Sequence, residues 1–333
     1  MYRANQLALL GGNCVYPNPK VGAVLVFENK IIGEGFHATY GAKHAEVNCI
    51  ESVSEQNKKH IERATLYCTL EPCTHSGKQP PCADFIIQNK IKKIVIACND
   101  PNPSVSGNGV AYLRENKVEV IENCLFDTCY AGNKYFFYFH TFLRPYVILK
   151  WAETNDGFIS NSDKNPFSIS NTWVQKINQK WRSEEHAILI GKNTVLCDKP
   201  ALTNRFGKNK NPVRFVLDSQ LELSQNLDFF TQSEPTYTIT KVNSNIKNTI
   251  AIADTTPKNI LQLLYEKQIQ SLLVEGGALI LQSFLDSNLW SEIRIIKSNN
   301  TIGKGYKAPV FSAIAQRTDT IGDNIISYYL NNQ

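Results

Sequence analysis

Residues 70–82 read LEPCTHSGKQPPC: two cysteines, Cys73 and Cys82, flank a proline-stiffened polar loop between a strand-like run and a helix-like one. Thiols spaced this way in a chain too large to need staples suggest metal ligands, and the remaining ligand should then lie elsewhere. It is found in GAKHAEVNCI at residues 41–50, where His44 is followed two positions later by Glu46. One histidine, two cysteines and a non-ligand glutamate form the inventory of zinc deaminases. Two thiolates offset the charge of Zn2+, and three protein ligands leave a position for a water whose pKa the metal lowers to about 7. Positions i and i+2 inside a helix lie about 200° apart, so His44 and Glu46 cannot both face one ion from mid-helix. His44 is therefore expected at the helix entrance, where the positive end of the backbone dipole points toward the site.

Around these ligands the chain alternates strands and helices. VGAVLVFENKIIGEGF, residues 21–36, reads as two strands about a turn at Glu28 and Asn29. A helix from His44 to about Val53 follows, then the strand ATLYCTLEP, the helix CADFIIQNK, the strand KKIVIACND, the helix VAYLREN and the strand VEVIE. This order predicts one α/β domain. The aromatic stretch YAGNKYFFYFHTFLRP, residues 130–145, is expected to be one helix ending at Pro145. Past it, YVILKWAE, HAILIG, VRFVLD, SLLVEGG and EIRIIKS are strand candidates, with helical patterns in TWVQKINQKWRSEE and PKNILQLLYEKQ. The chain has 333 residues, and two domains are expected, residues 1–145 and 146–333.

Composition narrows the function classes. The 35 basic and 30 acidic residues give a net charge of +5 without a basic run, so a nucleic-acid tail is not indicated. No apolar run approaches the roughly 20 residues of a membrane span. The first twenty residues hold only a four-residue apolar run, too short for a secretory signal, and a cytoplasmic protein is expected. Nine cysteines, an odd number, fit reduced thiols better than a disulfide framework. Cys14, Cys49, Cys68, Cys98, Cys124, Cys129 and Cys197 lie mostly in apolar runs and are expected in the core.

The loop between Cys73 and Cys82 holds eight residues, against two in cytidine and tRNA adenosine deaminases. With YPNPKVGAVLV, KHAEVNCI and ACNDPNPSVSGNG it resembles the deaminase domain of the bifunctional riboflavin-biosynthesis deaminase-reductases. The resemblance runs through almost all of residues 1–145. It implies a cytidine-deaminase-like, three-layer α/β domain whose substrate is a diaminopyrimidinone carrying a ribosylamino 5-phosphate. Asn18, between two prolines, would contact the ring, and His75, Lys78 and Asn102 would border the ribose phosphate. LKWAETNDGFIS, KWRSEEHAILIGKNTVLCDKPALTNR, PVRFVLDS and LLVEGGALILQSFL resemble the reductase domain of the same family, a three-layer, dihydrofolate-reductase-like domain that uses NADPH.

By position, the resemblance implies substrate contacts at Lys150, Arg182, Leu202, Arg205 and Glu275. Ala152, Ser168, Thr194, Asp198, Ser219 and the turn of Gly277, Ala278, Leu279, Ile280, Leu281, Gln282 and Ser283 would contact NADPH. A Gly-Gly turn entering a helix can present backbone N–H groups to a phosphate, and paired arginines offer it planar forks of donors. Two segments depart from the family pattern, NPFSISN at residues 165–171 and IIKSNNTIGKG at residues 295–305.

Other readings stay open on the residues alone. His75 could close the zinc site as a fourth, structural ligand. A nucleoside or tRNA deaminase would want the two-residue cysteine spacing and a basic groove with exposed aromatics. A zinc-stabilised binding module would have no use for Glu46. The reading with most support is a zinc and NADPH enzyme acting on a small phosphorylated pyrimidine, without nucleic-acid or membrane partners and with a homo-oligomer left open.

Overall fold

The computed structural model describes residues 1–74, 79–102, 106–161, 168–205, 207, 209–231 and 236–331. His75, Lys78 and Pro166 lie outside the described residues. The chain divides into two compact units, Met1–Leu143 and Arg144–Gln333.

In the first unit α1 (Tyr2–Leu9) precedes the hairpin β1 (Gly22–Phe27) and β2 (Lys30–Phe36). Glu28 and Asn29 both take positive φ, 46° and 60°, the two-residue hairpin turn whose twist matches the strands. Next come α2 (Ala45–Glu51), a 3-10 turn at Lys58–Arg63, β3 (Thr65–Leu70), α3 (Cys82–Gln88), β4 (Lys93–Cys98), α4 (Asn108–Glu115), β5 (Glu119–Ile121), α5 (Phe126–Gly132) and α6 (Lys134–Phe142). The sheet order is β2-β1-β3-β4-β5, with β1 antiparallel to both neighbours and β3, β4 and β5 parallel. Alternation along the strands sorts the core into two layers. Ala23 and Leu25 of β1 pack with Ala45, Cys49, Ala83, Ile86 and Leu113 from α2, α3 and α4. Val24, between them, faces Ala4 and Leu7 of α1. Helices therefore cover both faces, giving the three-layer α/β arrangement expected.

The aromatic stretch differs from expectation, because it is two helices broken at Asn133. There the backbone leaves helical geometry (φ −118°, ψ 21°). The Asn133 amide oxygen accepts from Lys20 N at 2.8 Å, and its Nδ2 donates to Lys20 O at 2.7 Å. A buried side chain that pairs with a distant backbone segment overrides local helix propensity. It also fixes the chain just after Asn18. Cys49, Cys68, Cys98 and Cys129 are buried as expected, Cys14 and Cys124 are only partly so, and Cys197 is exposed.

The second unit opens with β6 (Tyr146–Glu153) and β7 (Phe158–Asn161), then α7 (Thr172–Glu184), β8 (Ala187–Gly191), α8 (Lys192–Asp198), β9 (Val213–Leu217), α9 (Asp228–Thr231), β10 (Thr236–Thr240), β11 (Thr249–Ala251), α10 (Pro257–Glu266), β12 (Ser271–Glu275), α11 (Ala278–Asp286), β13 (Glu292–Ser298), β14 (Gly305–Lys307), β15 (Arg317–Ile321) and β16 (Asn324–Leu330). Nine strands form one sheet, β11-β10-β9-β8-β12-β6-β13-β16-β15, parallel except for the pairs β13/β16 and β15/β16; β7 and β14 pair separately. The central strands are almost wholly buried and mostly apolar, as a sheet covered on both faces requires, with Lys150 and Glu275 the buried charges near their carboxyl ends. α10 and α11 pack on one face and α7 on the other. No helix among the described residues is long and apolar enough to cross a membrane.

Replacing Asn133 with alanine leaves the Lys20 N–H and C=O without these partners in a mostly buried setting. Asn133→Ala is expected to lower stability by about 1–3 kcal/mol, read as a lower urea midpoint for the unit that contains it.

Candidate active sites

The candidate metal ligands of the first unit come from three points in the chain that folding brings together. His44 is the N-cap of α2, with extended backbone (φ −74°, ψ 166°), which turns its ring outward while Glu46 sits in the first turn. Cys73 follows β3, and Cys82 is the first residue of α3, after two prolines that stiffen its approach. His44 Nδ1 lies 3.6 Å from Cys73 Sγ and 3.3 Å from Cys82 Sγ, and all three donor atoms fall within 4.8 Å of one another. Zn–S bonds of about 2.3 Å and Zn–N bonds of about 2.0 Å in a tetrahedron place neighbouring donors about 3.5–3.8 Å apart, so these donors fit a zinc ion. Cys73 is pulled down to about 4, first by the Cys82 thiol that donates to it and, against the cost of burial, by His44; Cys82 is pushed well up. A zinc ion would take both as thiolates.

Glu46 is 3 % exposed. Burial, and after it the neighbouring Cys73 charge, raises its carboxyl above the ordinary range. A carboxyl buried beside a metal-type cluster and able to exist in both protonation states suits proton transfer. His37, which sequence reasoning missed, completes this corner. The residue is 2 % exposed, and burial lowers its pKa, disfavouring the charged ring. Nδ1 lies 3.1 Å from Lys43 O, an acceptor, and must carry the hydrogen; Nε2 then accepts from Asn18 Nδ2 at 3.1 Å. The ring stands edge-on to His44 at 5.3 Å, which brings Asn18 to the metal corner. Asn102 lies on the loop that leaves β4, and its backbone N donates to Asp100 Oδ1 at 2.8 Å.

In the second unit a cavity of about 980 Å³ opens at the carboxyl ends of the central parallel strands. Strand register sets Glu275 beside Lys150. Arg182, reaching in from α7, donates to both Glu275 oxygens, Nε to Oε1 at 3.0 Å and Nη2 to Oε2 at 2.5 Å, and Lys150 Nζ lies 3.8 Å from Oε2. Burial alone would raise the Glu275 carboxyl; the charge of Arg182, then that of Lys150, outweighs it and holds the group at about 2. The same burial lowers the Lys150 ammonium against the pull of Glu275. Ala152, Ser168, Thr194, Asp198, Leu202, Ser219, Gly277, Ala278, Leu279, Ile280 and Leu281 line this cavity. Gly276 and Gly277 have φ of 113° and 76°, which residues with a Cβ rarely adopt, and they carry the chain from β12 into α11. Arg205 is exposed and outside the lining. Gln282 Nε2 binds Asp286 Oδ1, and the Ser283 hydroxyl donates to Ile280 O.

A five-stranded mixed sheet that presents a histidine and a cysteine at two helix entrances and a second cysteine after a strand, with a buried glutamate beside them, defines a zinc-dependent hydrolytic deaminase. Residues 1–98 match the zinc-binding region of cytidine and deoxycytidylate deaminases, and residues 145–321 match the RibD C-terminal domain. The riboflavin biosynthesis protein RibD of Aquifex aeolicus is 40% identical over 300 residues, covering 87% of this chain and 83% of the relative. That of Actinobacillus pleuropneumoniae is 34% identical, covering 99% and 94%. Two crystal structures share the whole fold. One is the diaminohydroxyphosphoribosylaminopyrimidine deaminase/5-amino-6-(5-phosphoribosylamino)uracil reductase of Thermotoga maritima, with TM-score 0.86 and 36% identity over 98% of this chain and 96% of that one. The other is Acinetobacter baumannii RibD, with TM-score 0.89 and 30% identity over 100% and 98%. The chain belongs to the RibD family, bifunctional deaminase-reductases of riboflavin biosynthesis.

Two outcomes follow from the geometry. The purified protein should hold one zinc per chain by elemental analysis; Cys82→Ala should lose at least nine-tenths of it, whereas Glu46→Gln should retain it. The Glu275 carboxyl has its folded pKa depressed from 4.5 to about 2, so its contribution, about 3 kcal/mol, is complete above pH 4.5 and fades as pH falls toward 2. Urea midpoints of the second unit should drop through that window, and Glu275→Gln should be less stable at neutral pH and lose much of that acid dependence.

Proposed function

We propose that the first unit deaminates the ring of a diaminopyrimidinone that carries a ribosylamino 5-phosphate, and that the second reduces the ribosyl group of the product with NADPH. The observation that carries the deaminase assignment is the buried Glu46 carboxyl beside three donors that fit zinc. Bound there, zinc supplies a Lewis acid that makes a water nucleophilic near neutral pH. Glu46 takes the proton released as that nucleophile forms, holds it on a carboxylate oxygen, and returns it to the departing amino nitrogen. Asn18, fixed by His37, offers its amide to the ring, a rigid group that needs no ordering on binding. Asn102 borders the sugar phosphate, with His75 and Lys78 assigned there on the family resemblance.

The reductase assignment is supported by the cavity that joins the Lys150, Arg182 and Glu275 cluster to the Gly276 and Gly277 turn. Bound in this cavity, NADPH would supply a hydride for the ribosyl C1. The turn and the first amides of α11 would hold the cofactor phosphates. Thr194, Asp198, Ser219, Ala152 and Ser168 flank the cofactor side. Arg182 and Arg205 are assigned to the substrate phosphate, with Arg182 held in place by Glu275 until substrate arrives. Lys150 lies at the reaction centre, positioned by the same carboxylate. A nucleoside or tRNA deaminase is disfavoured by the eight-residue cysteine loop.

Ammonia release and NADPH oxidation, followed separately on the ribosylated diaminopyrimidinone 5-phosphate, test this assignment. Glu46→Gln should reduce ammonia release by at least 1000-fold and leave reduction of the already deaminated compound unchanged. Absence of both reactions in the zinc-loaded protein would overturn the assignment.

A further inference from the structure

Glu71 is buried, 4 % exposed, two residues before the ligand Cys73, and its carboxylate carries no role in the chemistry above. Its two carboxylate oxygens accept from four backbone N–H groups of one segment. Oε2 accepts from Asp100 N at 3.1 Å and Gly107 N at 3.0 Å; Oε1 accepts from Gly109 N at 2.9 Å and Val110 N at 3.1 Å. The second pair belongs to the first turn of α4, whose orphan donors a carboxylate suits. The first pair differs, because it ties Asp100, two residues before Asn102, and Gly107 to a single oxygen. Asp100 Oδ1 in turn accepts from Asn102 N at 2.8 Å, and Asn102 O accepts from Ser106 N at 2.9 Å. The approach is close: a Cβ on Gly109 would stand 2.1 Å from Pro72 O, so the segment between Glu71 and Cys73 lies directly against the start of α4. The parallel pairing of β3 and β4, with Leu70 opposite Cys98, sends both loops out from adjacent strand ends.

We propose that Glu71 is a positioning residue for the deaminase, which sets the Asn102 loop against the metal ligand Cys73 and so fixes where the sugar phosphate lies relative to the zinc. The proposal rests on the reading of Asn102 as a substrate contact. A carboxylate is required because only two acceptor oxygens can take four N–H donors; a glutamine at this position would turn an NH2 group toward two of them. Zinc ligation itself does not pass through this carboxylate, so metal content and substrate affinity should separate.

The test compares Glu71→Gln, Asn102→Ala and the double variant in the full-length, zinc-loaded protein, measuring zinc per chain, deaminase KM and kcat, and reduction of the deaminated compound. Glu71→Gln is expected to keep one zinc and unchanged reduction while raising the deaminase KM at least ten-fold, with kcat reduced less. The double variant should be no worse than the more impaired single one, since both act on the same contact. An unchanged KM at full zinc, or loss of zinc in step with activity, would overturn the proposal. If Asn102→Ala alone leaves KM unchanged, the Asn102 assignment falls, and the proposed route from Glu71 to substrate falls with it, whatever Glu71→Gln does. Should Glu71→Gln not fold, Glu71→Asp, which keeps the charge one methylene shorter, is judged by the same criteria.

Discussion

The first unit depends on a constraint of helix geometry: a histidine and a glutamate two residues apart can face one metal position only where a helix begins. His44 meets it as the N-cap of α2, outside the helical turn that holds Glu46. Cys82 meets the same requirement as the first residue of α3, so two helix entrances point at one spot. Both helices must then lie on the same face of the sheet. Their apolar faces share one core layer with alternate residues of β1 and β3, leaving the entrances free for chemistry. Burial of Glu46 follows from this packing, and its raised carboxyl pKa follows from burial.

The second unit meets a different constraint by similar means. Parallel strands place their carboxyl ends side by side, and residues 93 positions apart in sequence, Arg182 and Glu275, become a bidentate pair. A carboxylate this deeply buried stays charged only because two cations face it. The cluster thereby stores positive charge at the floor of the cavity, close to the Gly276 and Gly277 turn.

Much of this was legible in the sequence where a residue's role is local. The hairpin turn at Glu28 and Asn29, the apolar strands β3, β4, β6, β8 and β12, and the position of His44 at a helix entrance all follow from short patterns. Roles that depend on distant partners were not. Asn133 breaks a helix because of Lys20, more than a hundred residues earlier, and nothing within the aromatic stretch signals it. His37 has no motif of its own; only its contacts with Lys43 and Asn18 give it meaning. β15 went unseen because none of its residues is buried, so it lacks the apolar run that marks a strand. For the cavity of the second unit, family resemblance located just under half of the lining. Local geometry then separates Gln282 and Ser283, whose side chains are engaged along α11, from the residues before them.

Everything proposed for the first unit requires that zinc be held by three protein ligands with one position left for water. X-ray absorption at the zinc edge of the substrate-free protein reads this directly. The account predicts two sulfurs near 2.3 Å and two lighter atoms near 2.0 Å, with multiple scattering from a single imidazole ring. Two imidazole rings, or a third sulfur, would mean a site closed by protein, and the hydrolytic role assigned to Glu46 would be contradicted.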